Sequence, residues 1–126
     1  MWARLGIATL AAALAATPAL AGTLATAALF TGDGDDVVCM LSNVSGAPLT
    51  NVQVDVKDGA GGTASATLSS IDCTGTLAAG ASCFLNKTLA GGQRVRCEFS
   101  FSGKASRSRG AMVVDSGTRT LALEAR

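Results

Sequence analysis

Cys97 sits at the centre of a run in which every second residue is apolar. In Arg94-Val95-Arg96-Cys97-Glu98-Phe99-Ser100-Phe101, the residues Val95, Cys97, Phe99 and Phe101 share one side, and charged or polar residues share the other. That period of two is the mark of a strand with one face against a core. Cys97 therefore points inward. Around Cys39 the same argument puts Val37, Cys39 and Leu41 on one face, although Val38 and Met40 make the opposite face apolar as well. Two inward cysteines on strands far apart in the chain can bridge two sheets.

The chain has four cysteines, Cys39, Cys73, Cys83 and Cys97, which allow three pairings. The flanking pattern favours Cys39 with Cys97. It leaves Cys73 and Cys83 as a local clamp on a loop whose turns are marked by Gly75 and Gly80. In the chain-entropy description the long bridge contributes about 4 kcal/mol and the short one about 3 kcal/mol. Both matter in a chain with four Phe, no Tyr and one Trp, because domain stability is usually only about 5–15 kcal/mol. Zinc is the rival use of four cysteines, but no closely spaced cysteine pair of the zinc-binding kind is present.

Residues 1–21 have the three parts of an export signal. Arg4 gives a positive start, Leu5 to Ala16 is an uncharged apolar run, and Ala19-Leu20-Ala21 follows Pro18 as a small-residue cleavage site. The alternative is an uncleaved anchor, since no charge appears from Leu5 to Phe30. Cleavage is the expectation, leaving residues 22–126 as one secreted or periplasmic domain with no membrane attachment. No lipid-accepting Cys stands at the cleavage point. The C-terminal Leu121–Arg126 is no hydrophobic tail of the anchor-exchange kind. An exported chain also explains paired cysteines, because oxidising compartments keep them so.

The remaining residues alternate between short β-favouring stretches and turn residues. Strand candidates are Thr23–Thr31, Val37–Val44, Asn51–Lys57, Ala64–Ile71, Ser82–Leu89, the Cys97 run, Ala111–Val114 and Thr118–Ala125. In the third of these Val52, Val54 and Val56 face inward. Asp115-Ser116-Gly117 between the last two is a hairpin signal. No stretch after Ala21 has a helical period. About seven to nine short strands with turns every 8–12 residues imply an all-β antiparallel sandwich.

Two stretches carry a family resemblance. Cys39-Met-Leu-Ser-Asn43-Val-Ser45-Gly46 with Leu49-Thr-Asn51-Val52-Gln-Val54 is similar to the second and third strands of bacterial extracellular immunoglobulin-like and fibronectin-like modules. Gly75-Thr-Leu77-Ala-Ala-Gly80-Ala-Ser82-Cys83 resembles the loop before a late strand in such modules, with Ala79 where proline is common. The resemblance covers about a third of residues 22–126 and implies an immunoglobulin-like sandwich with a structural or adhesive role. It carries over no active-site residue. The chain differs from antibody-type domains in having no core Trp and in placing Val95 where a corner Tyr stands.

Charge and residue types narrow the function. The net charge is +1, and residues 1–21 hold one of the positive charges and no acid. The exported part is then neutral, which disfavours nucleic acid as a partner. With no His anywhere, Ser-His-Asp and Cys-His catalysis and histidine metal ligation are excluded. Paired carboxylates would still serve acid–base chemistry in a hydrolase, but the nine acids are scattered, mostly in turns. Asp33, Asp35 and Asp36 are candidate cation ligands. Val44 stands where a calcium-binding helix–loop–helix would need Glu, so a solvated turn is the expected reading. Lys104, Arg107 and Arg109 are candidate anion-binding residues, set against an exposed loop that keeps the protein soluble. Asn43-Val-Ser45 and Asn86-Lys-Thr88 match glycan acceptor sequences, read as coincidental in a chain of bacterial style. The expectation is a non-enzymatic module with no cofactor, binding an unknown protein or glycan. The alternative is an assembly subunit whose residues 22–30 add to a neighbour's sheet edge.

Overall fold

The structure, a computed structural model, describes residues 21–117 and 120–125. The proposed signal, residues 1–21, lies outside the described residues except for Ala21, which opens the first strand. Among the described residues there are ten strands: β1 (Ala21–Ala25), β2 (Leu29–Thr31), β3 (Asp36–Asn43), β4 (Leu49–Asp58), β5 (Ala66–Ile71), β6 (Gly75–Leu77), β7 (Ser82–Leu89), β8 (Gln93–Ser102), β9 (Ser108–Asp115) and β10 (Thr120–Glu124). One 3-10 turn, Ala105–Arg107, leads into β9. No helix among them is long and apolar enough to cross a membrane.

The strands form two antiparallel sheets of five, packed as a sandwich. The first sheet runs β1-β8-β4-β6, with β2 also paired to β8, and the second runs β10-β9-β3-β7-β5. Alternation places the core. On β8, Val95, Cys97, Phe99 and Phe101 are all buried. On β3, Val37, Cys39 and Leu41 are completely buried while Val38 and Met40 face out. Leu85, Leu89, Met112 and Val114 complete the second sheet's inner face, and Leu49, Val52 and Val56 that of the first.

The cysteines pair as the alternation favours. Cys39–Cys97 joins β3 to β8, across the two sheets, with Cα atoms 5.7 Å apart. Cys73–Cys83 ties the β5–β6 connection to β7, with Cα atoms 4.9 Å apart.

Four elements differ from the sequence reading. Thr23–Thr31 is two strands, because the chain leaves the edge of β8 at Thr26, whose hydroxyl accepts the Cys97 N–H at 3.0 Å and which bridges to Ala125. The clamp loop contains β6, which crosses to the first sheet and pairs with β4. β4 carries a bulge between Leu49 and Val52, where Asn51 takes a left-handed φ of 51°, a conformation that Asn tolerates better than most residues. β9 begins at Ser108 instead of Ala111. Its first inward residues are Ser108 and Gly110, so no hydrophobic alternation announces it. Gly110 is needed there, since a Cβ would stand 2.8 Å from both the Ala125 Cβ and the Phe99 ring.

Candidate interaction surface

The second sheet's outer face carries an apolar strip along β9, β3 and β7, charge at the two ends of that strip, and Glu124 on the edge strand β10. Antiparallel register lines its residues into rows. Asp36 on β3 lies between Asp115 on β9 and Thr88 on β7. In the next row Val38 lies between Val113 and Asn86, and in the next Met40 lies between Ala111 and Phe84. The last row is Arg109, Ser42 and Ser82. β10 adds Ala122 beside Val113 and Glu124 beside Ala111. Met40 is 41% exposed and its cross-strand neighbour Phe84 38%. A hollow of about 420 Å³ beside them is lined by Met40, Ser42, Arg109, Ala111 and Glu124. The Asn86 side-chain oxygen on this face is buried without a hydrogen-bond partner.

The basic candidates sit at one end of the strip. Lys104 precedes the 3-10 turn, Arg107 ends it, and all three basic side chains are exposed. Arg109 belongs to β9, not to the loop, and its Nη1 donates to the carbonyls of Ser106 and Ser108 at 3.4 and 2.9 Å. The acidic candidates sit at the other end and each serves a different local donor. Asp33 accepts the Gly91 N–H at 2.7 Å, Asp35 accepts the Gly32 N–H at 2.7 Å, and Asp36 accepts the Thr88 hydroxyl at 2.6 Å. They do not converge as cation ligands. Among the described residues the one grouping of three possible ligands is Asp72 with Cys73 and Cys83, and both sulfurs there are joined in the disulfide.

A cleft of about 540 Å³ opens between β4 and the β5–β6 connection, with Val52, Val54, Ile71 and Phe99 among its walls. Beside it Asp55 accepts from Lys87 at 3.0 Å and from the Thr63 hydroxyl at 2.9 Å, with Lys57 at 3.5 Å. Partial burial pushes the Asp55 carboxyl up. The hydrogen bonds from Lys87 and Thr63, the Lys87 charge and the Val56 N–H outweigh it and hold the carboxyl below the usual carboxylate value. This group is engaged in joining the two sheets.

Residues 22–30 pair with β8 of their own chain through β1 and β2. Phe30 remains 79% exposed, and the Arg94 guanidinium lies over its ring at 5.8 Å. Arg96 and Glu98 face outward as their alternation implies, 3.5 Å apart. Asn43 is buried with its amide nitrogen fully engaged, so it accepts no glycan in the folded protein. The sequence reading did not single out Met40 and Phe84 as a surface pair. The signal was their position opposite buried neighbours on strands of even alternation.

The chain matches no family model, no curated protein and no solved structure.

Proposed function

We propose that this chain is an exported, non-enzymatic module of immunoglobulin-like type that acts by presenting a face to another surface, in the periplasm or at the cell exterior. The observation that carries the reading is the Val38, Met40, Phe84, Ala111 and Val113 strip, apolar and open on the outside of a stapled sandwich. Solvent-facing apolar strips framed by charge are characteristic of interaction sites. Two disulfides fit an oxidising compartment.

The test is sedimentation of the oxidised protein with washed cell-envelope fractions, comparing wild type with Met40→Asp and Phe84→Asp. The expected result is retention of wild type and loss of most of it in both variants. Equal retention of all three would sink the assignment of the surface. A panel of ester, glycoside and peptide substrates gives the counter-test, and turnover that disappears in Asp35→Ala would overturn the non-enzymatic reading.

A further inference from the structure

The two charge clusters that look unrelated in the sequence lie at opposite ends of one strand pair. β3 and β9 are antiparallel, with Asp36 opposite Asp115 and Asn43 opposite Ser108. The acidic turn Gly32–Asp36 therefore enters the outer face at one end. The basic stretch Lys104–Arg109 enters it at the other. Between them lie Val38, Met40, Ala111 and Val113.

We propose that this face is a self-association surface, on which a second copy of the chain stacks with its strands reversed. The inference rests on the reading of the face as the working surface and names its partner. The arrangement is a two-fold one, with the axis in the plane of the face and perpendicular to the strands. It passes between Val38 and Met40 on β3 and between Ala111 and Val113 on β9, which are the same level in the register. Each strand then meets its own counterpart, and the apolar strips coincide. Arg109 of each copy meets Asp115 of the other, with Asp36 beside it. An axis parallel to the strands would instead keep the two acidic ends together, with Asp36 of each copy on Asp115 of the other where the axis runs between β3 and β9. Like charges face to face cost several kcal/mol, so the charges select the reversed pairing.

Five strands at about 4.8 Å spacing and seven residues at about 3.3 Å give a footprint of about 550 Å² on each copy. That is at the low end for specific interfaces, so the dimer is weak and depends on concentration. Its outer charge pairs are solvent-exposed, so salt weakens it further.

The experiment is analytical ultracentrifugation of the oxidised protein from micromolar to millimolar concentration, for wild type, Arg109→Asp, Asp115→Arg and their equimolar mixture. Wild type is expected to show a dimer that salt dissociates. Each variant alone is expected to associate at least about tenfold more weakly, because both of its contacts join like charges. The mixture is expected to recover, because both contacts of the mixed pair join opposite charges. Asp115 also accepts the Gly117 N–H at 2.9 Å, so Met40→Asp, which alters no turn, serves as a second variant and is expected to be monomeric. A wild type that stays monomeric, variants that dimerise equally, a mixture that does not recover, or an open ladder of species would each overturn the proposal. A monomeric wild type whose envelope retention still falls with Met40→Asp overturns self-association alone. A dimer with retention indifferent to Met40→Asp supports it and overturns the envelope reading.

Discussion

Asn43 Nδ2 donates to the carbonyls of Ala47, Leu77 and Ala78 at 2.8, 3.1 and 3.2 Å, and its Oδ1 accepts from the Ser45 N–H and hydroxyl at 3.0 and 2.7 Å. Its backbone N–H and C=O bond to Ala81 and Gly80 at 2.9 and 3.0 Å. One side chain thus ties the β3–β4 loop to the β6–β7 turn. Its two N–H groups serve three carbonyls, so one is shared. The sequence placed Asn43 only near the end of a strand candidate and in a glycan acceptor pattern, because type and neighbours say nothing about which distant carbonyls will converge on an amide. Asn43→Ala leaves the Leu77 carbonyl without its partner in a buried place and releases the part-buried carbonyls of Ala47 and Ala78. It is expected to cost about 3 kcal/mol, read as a fall in the urea midpoint with an unchanged slope. A change within the error of the midpoint would show that water replaces the amide.

Between elements, Asp55 on β4 and Lys87 on β7 form the polar counterpart of the disulfide. They link the sheets on the side where β6 is too short to cover β4. Lys87 occupies an inward position of β7, opposite Val37, and reaches the sandwich edge to meet Asp55. The carboxyl titrates below its unfolded value, so its contribution is fully present above about pH 4 and is lost as the pH falls through the lower folded value. Asp55→Asn removes that pH dependence and is expected to destabilise the protein by about 1 kcal/mol at neutral pH. Urea midpoints from pH 7 to pH 2 check both statements, and parallel curves for wild type and variant would refute the linkage. At this scale the sequence was legible where alternation was long. β8 carries four buried residues on one face, and its inner face and inward cysteine followed directly. β6 has three residues, Gly75, Thr76 and Leu77, too few for a period. β9 hides its start behind Ser108 and Gly110, which are inward because they are small.

For the whole molecule, Cys39–Cys97 closes the longer loop and crosses the core, with a sequence separation of 58, whereas Cys73–Cys83 spans 10. Replacing the first pair with Ala is expected to cost about 4 kcal/mol and the second about 3 kcal/mol. Equilibrium unfolding of the two double variants ranks them, and a larger loss from the 73–83 pair would show that native packing, not loop entropy, sets the order. The first loss removes a large fraction of the roughly 5–15 kcal/mol a domain commands.

What the sequence determined by itself was the local part of this protein: which residues alternate, where Gly, Asn and Pro turn the chain, and that two inward cysteines would bridge separate strands. These follow from the strand period and from backbone sterics, which act between neighbours in the chain. Only the tertiary structure decided which strands are adjacent. It is that adjacency which sets Met40 beside Phe84, brings Lys87 to Asp55, gathers three carbonyls onto Asn43 and puts Asp36 and Arg109 at opposite ends of one face. Register between distant strands is fixed by how all the inner faces pack at once, and no single stretch of the chain contains it.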